Sequence, residues 1–453
     1  MIQVRKLWLS WLALAALIFT ATEVAADDLI GLWAIAEKQD GKYLSAKYRY
    51  LADSETIKQA RSQLLPNISF QYEDKQTDQV INESDNAVFN LGKDNYTTTS
   101  TGFRVTQTIF DYGRWTRYSQ SKIFVTKSQI EYKLAKQELL LRLAESYFLV
   151  LERGDQFDTV QDEKTAMSKH LSLSELKFKS GLGMSADVED ARARYLSTLS
   201  KEFELKSRLD DSRYALREVL GVIPTSIASL RPDIEFQKPV PDVTEDWIAM
   251  SARKNLELQA MTLSLKVADK EVAALKSARY PTVNLVYSDM DTVTDGSVFG
   301  GGSDINNADI QLQFNLPIYT GGSTSSKIRQ AIQKRLAVVE DIKDKRRSVE
   351  RSAQDAFNRV HTAIVQIEAL GQAVKAQERL LETYSSGYRG GQNSILDVLD
   401  TQQDLSQAKQ SLTKARYDYV LNTLRLKFTA GDLQVDDLIP INGWLSTSAS
   451  GQR

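Results

Sequence analysis

Residues 385–410 read "SSGYRGGQNSILDVLDTQQDLSQAKQ", and residues 175–200 read "ELKFKSGLGMSADVEDARARYLSTLS". Phe178 matches Tyr388, Gly181 matches Gly391, and Asp187-Val188 match Asp397-Val398, each 210 positions apart. Both stretches turn on glycines and then enter a helix. In the second, Asp397 and Asp400 are three residues apart, so they share one helical face.

The correspondence extends outward. "ARSQLLPNISFQYED" from Ala60 aligns with "LKSARYPTVNLVYSD" from Leu275, and "TQTIFDYGRW" aligns with "FNLPIYTGGS" at Ile109 and Ile318. Gly221 and Gly431 are again 210 apart. The chain therefore reads as two copies of one unit, covering 27–235 and 236–440, with a short polar tail over 441–453. Each copy is helix, strand, loop, strand, very long helix, turn and return helix.

The strands are expected near 66–74, 102–111, 281–290 and 309–319. Ile68, Phe70 and Tyr72 alternate with polar residues, as do Val283, Leu285 and Tyr287, and Ile310, Leu312 and Phe314. "FRVTQTI" alternates less cleanly, because Gln107 interrupts the apolar series. Such alternation means a sheet with one apolar and one polar face. Taken alone it favours a soluble sheet packed on helices over a membrane barrel. Four strands cannot close a barrel, so a membrane reading requires several chains.

Long helices are expected over 113–178 and 323–388, both free of proline, with return helices over 186–220 and 395–430. A helix of that length is about 100 Å long and needs coiled-coil-like neighbours along it. The N-terminus adds Arg5 and Lys6, an apolar run from Leu7 to Phe19, and Val24-Ala25-Ala26, which is the pattern of a signal peptide spanning 1–26. Together these features move the balance toward the barrel.

The rest of the composition excludes more than it assigns. The 453 residues carry 57 basic and 59 acidic side chains, so no nucleic-acid partner is implied. There is no cysteine, hence no disulfide, thiolate metal site or lipid attachment. His170 and His361 lie in helical runs without a nucleophile motif and read as surface residues; no catalytic residue, cofactor or metal site is expected. A periplasmic adaptor and a trimeric adhesin are competing readings. The first would insert one hairpin into compact β-domains, and the second would lack return helices. Tyr132, Tyr147 and Phe148 read as packing residues.

"ARSQLLPNISF", "VTQTIFDYGRW", "LPIYTGGSTSSKIRQA" and "SILDVLDTQQDLSQAKQSLTKARYDYVLNTLRLK" resemble the outer-membrane efflux protein family, from about Asp28 to Leu438. The resemblance implies an α+β membrane protein: a homotrimer with a twelve-stranded β-barrel, four strands per protomer, continued by a long periplasmic α-helical barrel. It implies an exit duct in the outer membrane of a Gram-negative bacterium. The partners would be outer-membrane lipid, a periplasmic adaptor and an inner-membrane pump of RND, ABC or MFS type, exporting drugs or proteins.

The resemblance also implies site roles. Asp397 and Asp400 would form stacked carboxylate rings at the periplasmic aperture; the residue-level alternative is that Asp397 merely caps its helix. Tyr388 and Asp187 would lock the closed state through a phenol-to-carboxylate hydrogen bond. Asn393 stands where the family carries an arginine, which weakens that lock, and Arg389 is the candidate substitute charge. Gly181, Leu182, Gly183, Gly390 and Gly391 would form the tips that an adaptor reads.

Overall fold

A computed structural model describes residues 28–83, 85, 92–224, 226–297 and 301–446. The expected signal peptide and the last seven residues, 447–453, lie outside them. In chain order the elements are α1 (Leu29–Gln39), α2 (Gly41–Ser62), β1 (Asn67–Ile81), β2 (Gly92–Phe110), α3 (Tyr112–Lys179), α4 (Ser185–Leu220) and β3 (Ser229–Leu230). There follow α5 (Thr244–Lys254), α6 (Leu256–Lys276), β4 (Thr282–Thr294), β5 (Ser303–Asn315), α7 (Ser323–Arg389), α8 (Ile395–Thr429), α9 (Leu438–Gly443) and β6 (Leu445–Ser446). Two compact units divide the chain across its sequence halves. One takes the residues up to Leu44, Gln137–Trp247 and those from Ala353; the other takes Ser45–Lys136 and Ile248–Ser352.

The second unit holds one antiparallel sheet in the order β1-β2-β4-β5. Its register sets Ile68 opposite Val105, Val105 opposite Tyr287, and Tyr287 opposite Ile310. Residues opposite each other in an antiparallel ladder share a face, so one apolar row crosses all four strands. Phe70 with Phe103, and Leu285 with Leu312, extend the same face. In the single chain this face is bare: Ile68 is 69% exposed, Ile310 75% and Leu312 70%.

The strands are longer than the apolar runs that announce them. β1 and β2 continue through residues 74–81 and 92–101, which had been expected as loop. The added segments are rich in Thr, Ser, Asp and Gln, so periodic apolarity fades while the backbone ladder persists. At the other end β5 stops at Asn315, short of the expected 319. Pro317 follows, and proline has no N–H to donate to a ladder. The interruption at Gln107 also has a local cause. Its Nε2 donates to the Leu64 carbonyl at 3.0 Å and the Thr108 carbonyl at 2.7 Å, beside a register shift between Thr108 and Phe110.

Helices buttress this sheet-bearing unit. Gln120 of α3 donates to the Val267 carbonyl and to Glu271 of α6, both at 3.1 Å. The Tyr50 ring of α2 stacks on Tyr132 of α3 at 5.7 Å.

In the first unit, α3 buries Leu139, Leu140, Leu143, Ala144, Tyr147 and Phe148. Their pairwise spacing of about four residues makes a continuous stripe facing other helices. Tyr147 and Phe148 are packing residues, as the sequence implied; the Tyr147 hydroxyl donates to the Ala228 carbonyl at 2.7 Å. Across from them α8 buries Tyr417, Val420 and Leu424. Part of the expected loose tail is ordered. β6 pairs with β3, and Asn442 of α9 accepts from Leu29 N–H at 3.1 Å while donating to Asp28 at 3.0 Å. Burying Leu438, Ile441 and Leu445 gives that segment the apolar contact its polar neighbours lack. Among the described residues, no helix is long and apolar enough to cross a membrane.

Candidate functional site

The two helical turns share one backbone device. At the end of α3, Gly181 N–H donates to the Phe178 carbonyl and Leu182 N–H to the Lys177 carbonyl, at 3.0 and 2.9 Å. At the end of α7, Gly391 N–H donates to Tyr388 and Gln392 N–H to Gly387, at 3.3 and 2.8 Å. These are paired 5→2 and 6→1 bonds around a left-handed residue, which is why glycine stands there. Gly181 has φ 75° and Gly391 has φ 76°. The other two tip glycines differ. A Cβ on Gly183 would press on Lys177 Cβ and the Phe178 nitrogen, both at 3.1 Å, whereas one on Gly390 would meet nothing closer than 3.6 Å.

After each turn a carboxylate caps the return helix. Asp397 Oδ2 accepts from both the N–H and the hydroxyl of Ser394 at 2.9 Å, and the Ser394 hydroxyl accepts from Asp397 N–H at 3.2 Å. This reciprocal box satisfies two otherwise orphaned donors. Asp187 accepts from Met184 N–H at 3.4 Å, with no side-chain oxygen at Met184 to return a bond. The capping alternative for Asp397 is therefore real, but it occupies one carboxylate oxygen and leaves the residue exposed.

Behind the turns a small core gathers Met167, Ala191, Ile395 and Leu399, with Leu171, Tyr195 and Tyr388 packed against it. The Tyr388 ring lies under the Lys177 ammonium at 3.7 Å, a cation–π contact between α3 and α7. Among the described residues, the Tyr388 phenol makes no hydrogen bond to Asp187, whose carboxylate instead accepts from Met184 N–H. Arg389 donates to Ser386 at 3.1 Å, on its own helix, and Asn393 N–H reaches the Gly387 carbonyl at 3.4 Å.

Asp400 has a partner that the sequence reading missed. Arg194 of α4 reaches Asp400 at 2.6 Å through one guanidinium nitrogen, and Asp190 at 3.1 Å through Nε. Asp190 and Asp400 are themselves 210 positions apart. Desolvation disfavours the Arg194 charge, but the hydrogen bonds and attraction of Asp400 and Asp190 outweigh it and raise its pKa. Asp400 is 61% exposed, so the pair is worth only ~0.2–1 kcal/mol as a tether. The signal available in the sequence was the Asp190/Asp400 match together with an i,i+4 acid–base pair, Asp190–Arg194.

Deeper in the bundle the Glu163 side chain of α3 is buried. It accepts from the Ser406 hydroxyl of α8 at 2.6 Å and the Thr198 hydroxyl of α4 at 3.5 Å, with the Lys201 ammonium 3.9 Å away. The histidines are less superficial than expected. Burial lowers the pKa of His170, and the fold brings Asp242 to 2.6 Å from His361 Nε2. Asp242 also pairs with Lys238 at 3.1 Å, in the segment between β3 and α5.

A family profile described as "Outer membrane efflux protein" matches the chain twice, over 38–222 and 247–432. Escherichia coli (strain K12) "Outer membrane protein TolC" is 30% identical over 409 residues, covering 87% of this chain and 80% of that protein. "Proteases secretion protein PrtF" of Dickeya chrysanthemi is 24% identical, covering 93% and 91%. In fold, the chain is similar to the CmeC outer membrane channel of Campylobacter jejuni, with TM-score 0.79 at 15% identity over 93% of this chain and 90% of that one.

Proposed function

The chain belongs to the outer membrane efflux protein family, and on that premise we propose that it is the outer-membrane exit duct of a tripartite efflux or type I secretion system. The observation that carries the reading is the sheet. Its apolar face, from Ile68 across Val105 and Tyr287 to Ile310, has no helix to cover it and suits lipid. Among the described residues β1 pairs only with β2 and β5 only with β4, so the sheet ends in two open edges. Edges are intolerable in a bilayer. Three copies joined edge to edge would close a twelve-stranded barrel. The two profile matches support reading the chain as two structural repeats that each supply a strand pair and a helical hairpin.

In this arrangement α3, α4, α7 and α8 form the periplasmic tunnel, and an adaptor docks on the two turns. Leu182 and Met184, 82% and 73% exposed, would be its apolar anchors. Asp397 and Asp400 would line the aperture as carboxylate rings, which focus cations. Tyr388, Asp187, Asn393 and Arg389 would contribute to the closed state. PrtF, named for protease secretion, favours proteins among the cargoes, and membership of an efflux family favours efflux substrates as well. The inner-membrane pump makes that choice.

The deciding experiment is single-channel conductance of the purified protein in planar bilayers, with a trivalent cation added on the periplasmic side. The expected result is a small cation-selective conductance that the trivalent ion blocks, and loss of that block, by two orders of magnitude or so in affinity, in Asp397→Asn/Asp400→Asn. A soluble monomer without conductance overturns the reading.

A further inference from the structure

The two carboxylates assigned to the aperture are not electrostatically equal. Asp397, Asp400 and Asp404 follow one another at i, i+3 and i+7, so they form one acidic stripe on α8. In α4 the corresponding positions are Asp187, Asp190 and Arg194. Asp190 therefore finds its cation four residues ahead on its own helix, at 3.1 Å. Asp400 has Asp404 at that place, a second acid, and takes Arg194 from the other helix at 2.6 Å. One guanidinium thus serves both carboxylates, through Nε for one and a terminal nitrogen for the other. Asp397 has no such cation; its bonds go to the neutral donors of Ser394.

We propose that Arg194 sets the cation affinity of the aperture, by screening the Asp400 charge and leaving the Asp397 ring to meet the ion. This rests on the reading of Asp397 and Asp400 as aperture residues. Arg194 is then a specificity-determining residue that touches no cargo. A guanidinium cannot lose its proton at any physiological pH, so the screening is set by geometry. Moving α4 relative to α8 would unmask Asp400 and add one carboxylate per protomer to the stripe.

The test is the trivalent-cation block and the cation-to-anion permeability ratio of Arg194→Gln, Arg194→Lys, Asp400→Asn and Arg194→Gln/Asp400→Asn. Each variant is first checked for extraction in the same oligomeric form as the wild type. In Arg194→Gln the block is expected to tighten about tenfold and cation selectivity to rise, because an unscreened carboxylate is added near a multivalent ion. Arg194→Lys, which keeps the charge and also guards against a misfolded glutamine variant, should stay near wild type. In the Asp400→Asn background Arg194→Gln should change the block by less than about threefold, since only Asp190 on the other helix remains to be unmasked.

An unchanged block in Arg194→Gln, in a channel whose block is lost in Asp397→Asn/Asp400→Asn, overturns the proposal and leaves the aperture reading intact. A larger conductance with unaltered selectivity overturns it as well, by making Arg194 a mechanical tether. If Asp397→Asn/Asp400→Asn keeps the block, the aperture reading itself fails and this proposal with it.

Discussion

The turn from α3 into α4 and the turn from α7 into α8 use the same hydrogen bonds and the same left-handed glycine, at φ 75° and 76°. Their side chains diverge. The first presents Leu182 and Met184 to solvent; the second presents Gln392 and Ser394. At the matched positions the first return helix carries Asp187, Asp190 and Arg194, and the second carries Asp397, Asp400 and Asp404. A turn geometry depends on backbone bonds and one permissive residue, so it survives substitutions around it. Chemistry depends on side chains alone and is free to differ between the two positions. In such a pair the differences are where function should be sought, and Phe178 against Tyr388, Arg194 against Asp404 and Glu163 against Ala373 are among those where one member of the pair has a side-chain contact.

The largest expected break is at Glu163, whose match 210 positions on is Ala373. Glu163→Ala leaves the Ser406 and Thr198 hydroxyls, both buried, without their acceptor. Stranding buried polar groups costs about 1–3 kcal/mol each. The variant should lose roughly 2–4 kcal/mol, read as a fall in the thermal or denaturant midpoint of the detergent-solubilised protein. Glu163→Gln, which keeps an acceptor, should lose under half of that. Equal losses would mean that the carboxylate charge matters more than its hydrogen bonds.

A smaller and symmetric effect is expected at the turns. Gly181→Ala and Gly391→Ala each force a Cβ into the left-handed region, at a cost of about 1 kcal/mol. Neither Cβ would meet another atom within 4 Å, so conformational strain is the only contribution. Matching small losses in hydrogen-exchange protection at the two helix ends would sharpen the equivalence of the turns. A loss several times larger at one of them would place an unseen contact there.

How far the sequence could be read follows the range of the interactions involved. Turn glycines, helix caps and proline-free helices are local signals, so Gly181, Gly391 and the reversals they mark are found where the pattern placed them. The strand pairs declared themselves through Ile68, Phe70 and Tyr72, but their extensions did not. Thr, Ser and Gln satisfy the ladder as well as Ile does, while erasing the apolar period. The stretch from Ile441 to Ser446 depends on Asp28, Leu29 and Ser229, all more than 200 residues away, and looked like a polar tail for that reason. The Arg194–Asp400 pair spans 206 positions and was equally invisible; only the Asp190/Asp400 match pointed at it.

The smallest expected effect on stability is also the most direct test of the closed-state assignment. Tyr388→Phe converts the second turn to the residue of the first, since Phe178 occupies the matching place. Within the chain the Tyr388 ring packs on the core of Met167, Ala191, Ile395 and Leu399 and lies 3.7 Å from the Lys177 ammonium. A phenylalanine ring retains both contacts, because packing and the cation–π attraction act on the ring face. Stability should therefore change by under about 0.5 kcal/mol. If the hydroxyl also bonds a neighbouring coil in the closed channel, the variant should leak: conductance would rise several-fold with the midpoint unaltered. If conductance is unchanged, Tyr388 acts through its ring alone, and Lys177→Ala becomes the change that should loosen the second turn, by about 0.5–1 kcal/mol.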